Sequence, residues 1–315
     1  MSIYLVFPSL VEVFGSWRDI TRFSLASLAV MAGLQAASLA CLWALQYVAL
    51  RARHWRPVIT SQLAGNALAK IAPGGGAIGS ALQYRMLVRA GLPPAPTVTA
   101  LTAVNVLVFA VVLALPVLAI PALLRGSVNR TLLETALGGL AIFVVAFVVG
   151  AVLLTTERPL AWIGRVIQRV RNRVRRGAEP LRHLPERLLA ERDRLIAALG
   201  PRWKRALLAT VGRWTFDYLT LLAALAAIGS HPRPGLALLA FCGAQVLAQI
   251  PVTPGGLGFV EAGLTAMLAL AGVSAGDAVL ATFAYRLFSY WLPLPFGLLG
   301  FALGSGPARA RGQEA

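Results

Sequence analysis

Asp217, Glu261 and Arg286 stand inside stretches of sequence that are otherwise apolar. Ionisable side chains in such surroundings are costly, and they are candidates for function. Two acids and one base can neutralise one another. The planar fork of an arginine also suits a phosphate, because it binds two oxygens at once. Glu261 follows Pro254 by seven residues, about 10 Å along a helix. Arg286 and Asp217 each lie ten or eleven residues into an apolar run, about 15 Å deep. The three are expected to converge near the middle of the apolar layer. A structural ion pair between Glu261 and Arg286 is the plainer alternative. Arg213, four residues before Asp217, either pairs with it locally or snorkels inward.

Polar stripes accompany these charges. Gln62, Asn66 and Lys70 are spaced four apart, and so are Gln245, Gln249 and Thr253. Residues four apart share a helix face. Each stripe therefore marks either a hydrated path or a set of interhelical hydrogen bonds. Gly74-x-Gly76-x-x-Gly79 has the spacing of a dinucleotide-binding loop, but that loop needs a preceding strand within a βαβ unit. "VITSQLAGNALAKIA" reads instead as a half-helix. A phosphate-binding loop fails too, because Ser80 stands where its lysine is required.

The elements that carry these residues are membrane helices. Of the 315 residues, 58% are hydrophobic and 13% charged, and the mean hydropathy is +0.73. Apolar runs at about 24–50, 97–124, 131–155, 206–228 and 276–304 each exceed the roughly 20 residues that cross a bilayer. The expected fold is an all-α polytopic membrane protein with five full transmembrane helices. The net charge is +17, with 27 of 29 basic residues arginine. On this background the charge marks cytoplasmic loops rather than nucleic-acid binding. The block 157–205 holds 14 basic residues against 5 acidic ones, so it is expected in the cytoplasm. The N-terminus then falls outside and the C-terminus inside. Residues 1–23 read as an interfacial segment or as the remnant of a span. Residues 24–304 form one membrane domain, and 305–315 a cytoplasmic tail.

Two further hydrophobic segments are interrupted. Segment 58–90 breaks at Pro73-Gly74-Gly75-Gly76, and segment 236–273 at Pro254-Gly255-Gly256, with Gly258 just beyond. Proline removes a backbone donor and glycine weakens a helix, so each break separates two half-helices. Displaced by 181 residues, 73–105 matches 254–286 at 11 of 33 positions, including Pro-Gly-Gly and a glycine 18 residues later. The charge pattern places one segment's ends inside and the other's outside. The expectation is an inverted repeat of two re-entrant hairpins, with halves centred on 58–124 and 236–304. Paired interruptions of this kind point to a transporter's substrate site.

Within the insertion 156–205, "PLAWIGRVIQRVRNRVRR" is amphipathic. Leu160, Ile163, Ile167, Val170 and Val174 recur at helical spacing, with Arg165, Arg169 and Arg173 elsewhere around the helix. Such a helix either lies on an anionic membrane surface or packs as a solvated arm on the helix at 184–199.

"IPVTPGGLGFVEAGLTAMLALAG" with "AYRLFSYWLPLPFGLLG", and "KIAPGGGAIGSALQYRMLVRAGL" before them, resemble the membrane domain of lysylphosphatidylglycerol synthases. The resemblance runs from about residue 24. It implies a flippase-like domain that moves lipid, standing alone without the soluble domain that attaches the amino acid, and hence no enzyme. It carries Pro254, Gly255, Gly256, Gly258, Glu261 and Arg286 over as site residues. Ser80 and Asn105 occupy the equivalent positions of the first half, which places the ionisable chemistry in the second. The expected substrate-binding residues are Arg286, Glu261, Asp217, Gln249, Gln245, Asn66 and Gln62. The hairpin backbone comprises Pro73, Gly74, Gly75, Gly76, Pro254, Gly255, Gly256 and Gly258.

The implied partners are membrane lipids, anionic phospholipid or aminoacylated lipid, with no nucleic acid; a homo-oligomer is compatible with the sequence. No catalytic residue, cofactor or metal is expected, since His54, His183 and His231 lack ligand spacing. The implied location is a bacterial cytoplasmic membrane. A membrane-embedded transferase acting on a lipid-linked substrate and a non-transporting scaffold are the alternatives.

Overall fold

The structure is a computed structural model that describes residues 23–72, 75–120, 130–174, 182–249 and 253–304. Pro73, Gly74, the N-terminal segment through residue 22 and the tail 305–315 lie outside the described residues. Among the described residues there is no strand. The helices are α1 (Leu25–Leu50), α2 (Trp55–Ile71), α3 (Gly75–Arg89), α4 (Pro94–Ala114, prolonged by a 3-10 turn, Leu115–Ala119) and α5 (Arg130–Thr155). Then follow α6 (Glu157–Val174), α7 (Leu184–Leu199), α8 (Trp203–Ala227), α9 (Pro234–Leu247) and α10 (Phe259–Leu270). Finally α11 (Ala275–Arg286) and α12 (Pro293–Gly304) join through a π turn, Leu287–Trp291. This is an all-α membrane protein. Among the described residues, three helices are long and apolar enough to cross a membrane: α1, Pro94–Ala119 and Ala275–Gly304. α5 and α8 occupy the other two expected places, and α8 is more polar, with Arg213 and Asp217 in its interior.

Local chemistry sets the ends of these helices. Ser24 caps α1, its Oγ accepting from the Ser27 N–H at 3.1 Å. Ser274 caps α11, accepting from the Asp277 N–H at 3.2 Å. Both hydroxyls satisfy donors that the first helical turn leaves open. Proline occupies the first turn of α4, α7 and α9, where its missing N–H is not needed.

The two half-helices after the breaks end alike. α3 stops at Arg89 and α10 at Leu270, while α4 starts at Pro94 and α11 at Ala275. Each pair is separated by the same 181 residues as the sequence match. Gly91 and Gly272 turn the chain with φ of 94° and 93°, a region that glycine enters without a Cβ penalty. The Ala90 N–H donates to the Met86 carbonyl and the Ala271 N–H to the Met267 carbonyl, both at 3.0 Å.

α12 packs on α2 through glycine. A Cβ at Gly300 would lie 3.0 Å from the Thr60 carbonyl oxygen and from Leu63 Cβ. Gly297 meets Ala67 and the Leu63 carbonyl in the same way. On the other side of α12, Phe296, Leu298, Leu299, Phe301 and Leu303 are exposed, as suits a surface that meets lipid tails. Small residues at a helix contact let two backbones approach closely, which is how helices associate in lipid. In the second half of the chain, the buried ring of Phe241 is flanked by Trp214, Tyr218 and Tyr285 at 5.9, 5.6 and 6.3 Å between centroids.

The last apolar run, expected as one plain span, bends its hydrogen-bond ladder in the middle. Pro293 has no N–H to give the Ser289 carbonyl, and its ring crowds that oxygen. The chain widens into a π turn, and the Leu292 N–H reaches back to the Leu287 carbonyl at 2.8 Å. Single π turns of this kind cluster at functional sites.

The glycine contact is directly testable. Gly300→Leu is expected to destabilise the protein by about 1–3 kcal/mol through overpacking against α2. Leu299→Ala, on the exposed face, should change stability by less than about 0.5 kcal/mol. Unfolding in detergent micelles measures both.

Candidate functional site

The second break positions the central ion pair. Gly255, Gly256 and Gly258 take φ of 59°, 73° and 79°, which lets the chain turn back into α10 within a few residues. Glu261 then sits in the first turn of α10, where the helix dipole favours a carboxylate. Its Oε1 accepts from Arg286 Nε at 2.6 Å, and both side chains are buried, at 14% and 9% exposure. Arg286 Nη2 donates to the Gly255 carbonyl at 3.4 Å. The guanidinium also stands 4.4 Å from the Tyr290 ring centroid, a cation–π contact. Glu261 Oε2 is buried and accepts no hydrogen bond.

A second set of contacts joins the two halves. Lys70, in the last turn of α2, sends Nζ to the Ser289 carbonyl at 2.7 Å and the Tyr290 carbonyl at 3.2 Å. The Ser289 carbonyl is the one that Pro293 leaves without its helical donor. Tyr290 Oη returns a hydrogen bond to the Lys70 carbonyl at 2.7 Å, in the turn where α2 has run out of donors. Lys70 and Tyr290 thus form a reciprocal clamp between the end of α2 and the π turn. Gly255 lies against this clamp, since a Cβ there would fall 2.8 Å from the Lys70 carbonyl oxygen and 2.6 Å from the Tyr290 ring.

A cavity of about 530 Å³ opens beside the clamp. Lys70, Arg213 and Arg286 line it, against one lining carboxylate, Asp217. Asp217 Oδ1 accepts from Tyr285 Oη at 3.3 Å, and that hydroxyl accepts from Gln245 Nε2 at 2.8 Å. Arg213 stacks over Trp214 at 4.2 Å, and its buried Nη1 has no hydrogen-bond partner.

The expected substrate-binding residues largely meet at this one place. Gln62, Asn66, Asp217, Gln245, Gln249 and Arg286 all line the cavity. Glu261 does not; it stands behind Arg286 and holds it. The convergence of three charges is therefore partial, because Asp217 bonds to Tyr285 rather than to Arg286. Arg213 makes no direct ion pair with Asp217. The stripe Gln62, Asn66, Lys70 lies on α2 as expected. The stripe Gln245, Gln249, Thr253 is not a helix face, because α9 ends at Leu247, and Gln249 reaches the wall from the turn that follows. Among the hairpin residues, Gly76 and Gly255 line the cavity, whereas Gly75 and Gly256 are buried in packing. Pro73 and Gly74 lie outside the described residues.

Positions related by the 181-residue displacement border the cavity in pairs. Asn105 and Arg286 do so, as do Val108 and Ser289, and Phe109 and Tyr290. Sequence reasoning missed Gln35, Ser38 and Gln46 of α1, which also line the wall. Their spacing of three and eight residues keeps them on one face of an apolar helix, a signal that was available. Gln83 donates to Gln46 Oε1 at 2.9 Å. Tyr285 and Tyr290 gave no such signal, being aromatic residues in an apolar run.

The sequence model of the lysylphosphatidylglycerol synthase TM region matches residues 2–297. The chain belongs to this family. The match takes in the N-terminal segment as well as the two interrupted hairpins. Among curated relatives, the chain is similar to a UPF0104 membrane protein of Methanothermobacter thermautotrophicus. The two are 25% identical over 259 residues, which is 78% of this chain and 74% of the relative. A second UPF0104 membrane protein of that organism is 28% identical over 90 residues, or 29% of this chain and 26% of the relative. In this family member, the cations of the wall come from α2, α8 and α11, and the clamp joins the first interrupted segment to the π turn of the last helix.

The buried pair has a specific energetic signature. Glu261→Ala leaves the Arg286 guanidinium uncompensated and is expected to cost about 3–5 kcal/mol. Combining Glu261→Leu with Arg286→Met should recover most of that loss, because it removes both charges and fills their volume. Chemical denaturation in detergent distinguishes the single from the double variant.

Proposed function

We propose that the protein is a lipid translocator of the flippase type, which carries the headgroup of a phospholipid or lipid-linked substrate through this cavity. The observation that carries the reading is the charge of the wall. Three cationic side chains and one carboxylate face a polar cavity enclosed by apolar helices. A surplus of cations at low local dielectric favours an anionic group strongly. Arg286 offers a bidentate fork to a phosphate and Lys70 a point charge. Asp217, Tyr285 and the glutamines then receive hydroxyl or amine groups of the headgroup.

In this reading α1, α4, α5, α8 and the α11–α12 helix cross the bilayer, and the two interrupted segments are re-entrant hairpins of an inverted repeat. The N-terminus lies outside, the C-terminus inside, and the membrane is a bacterial cytoplasmic one. The clamp between Lys70 and Tyr290 acts as a gate. A phosphate that engages Lys70 competes with the Ser289 and Tyr290 carbonyls and so loosens the contact between the first hairpin and the last helix. Glu261 keeps Arg286 aimed while the cavity is empty.

Reconstitution tests this directly. Vesicles carrying fluorescent acyl-labelled phosphatidylglycerol are expected to expose inner-leaflet label to an external quencher faster with protein than without. Arg286→Met and Lys70→Met should each slow the exchange by at least about tenfold, the effect of losing roughly 1.4 kcal/mol of binding to the moving headgroup. Exchange no faster than in protein-free vesicles, with phosphatidylglycerol and with aminoacylated phosphatidylglycerol alike, contradicts the reading.

A further inference from the structure

α6 leaves α5 at an angle of 95°. Among the described residues, α6 packs chiefly on α7. Gly164 abuts Pro185 of α7, where a Cβ would lie 2.9 Å from the Pro185 Cα. At its base Arg192 of α7 pairs with Glu157 at 3.3 Å. The apolar stripe of α6 is left largely uncovered, with Ile167, Val170 and Val174 exposed at 48%, 56% and 77%. A helical hairpin built for water would turn this stripe into its own contact. Arg165, Arg169 and Arg173, also exposed, follow the same four-residue step on the opposite, polar face of the helix.

We propose that α6 is an interfacial helix that binds anionic lipid. It seats Ile167, Val170 and Val174 at the boundary between headgroups and acyl chains, while the arginines of its polar face attract the anionic headgroups around it. An exposed apolar face backed by a row of cations matches a negatively charged bilayer in both respects. A nucleic acid or an acidic protein would use the arginines but leave the apolar stripe in water. The arginines are drawn to an anionic surface, and the apolar stripe supplies the seating. The helix thereby links the position of α5 to the charge of the adjacent leaflet. This holds whatever the cavity carries.

The test uses the full chain with Cys41 and Cys242 replaced by serine and a nitroxide label at Val170→Cys or Val174→Cys. It is reconstituted into phosphatidylcholine vesicles with and without phosphatidylglycerol. With phosphatidylglycerol, both labels are expected to sit about 5–10 Å below the phosphates and to be at least about tenfold less accessible to an aqueous nickel chelate than without it. Replacing Arg165, Arg169 and Arg173 together by glutamine should return the labels to water. A label at Glu186→Cys, on the exposed side of α7, reports whether the arm keeps its fold. Labels equally accessible in both vesicles overturn the proposal. So do labels protected equally without anionic lipid, and labels protected only when RNA is added.

Discussion

The structure turns on one requirement: every backbone polar group inside an apolar layer needs a partner within the protein. Two interrupted helices and a proline in the last helix each break that rule locally, and their repairs are the site. Pro293 leaves the Ser289 carbonyl without its helical donor, and Lys70 reaches across 219 residues of sequence to supply one. The end of α2 leaves the Lys70 carbonyl open, and Tyr290 supplies the other. The Gly255 carbonyl, freed by the second break, accepts from Arg286. Charges that would be costly in lipid are thus anchored on the carbonyls that the breaks release. The side chains so anchored then border a cavity.

Reading the sequence alone located the breaks because each joins a proline directly to consecutive glycines, a combination that interrupts a helix. It located the ion pair because Glu261 and Arg286 stand out against their surroundings. The offset between Gly91 and Gly272 was equally legible, and the two turns repeat it in their backbone geometry. What escaped was non-local. The clamp depends on Pro293 lying four residues beyond Ser289 and on Lys70 arriving from another segment, which no local pattern announces. The end of α9 at Leu247 also escaped, because Gln245, Gln249 and Thr253 keep a helical spacing that the turn does not respect. Asp217 was singled out correctly as a buried acid, but its partner proved to be a tyrosine, whose ring reads as apolar filling.

The asymmetry between the halves has a chemical sense. Equivalent positions border the cavity in pairs, yet the first half contributes Asn105 where the second contributes Arg286, and Ser80 where the second has Glu261. The first half adds its own cation from a different position, Lys70. The wall is therefore cationic on both sides of the break while the fixed carboxylate stays on one.

The most direct test is an electron cryomicroscopy structure of the protein in phosphatidylglycerol nanodiscs. The account predicts headgroup phosphate density inside the cavity, within about 3 Å of both the Arg286 guanidinium and the Lys70 ammonium, with the contact of Lys70 to the π turn lengthened. A cavity holding only water, with lipid confined to the outer helix faces and the clamp unchanged, would contradict it.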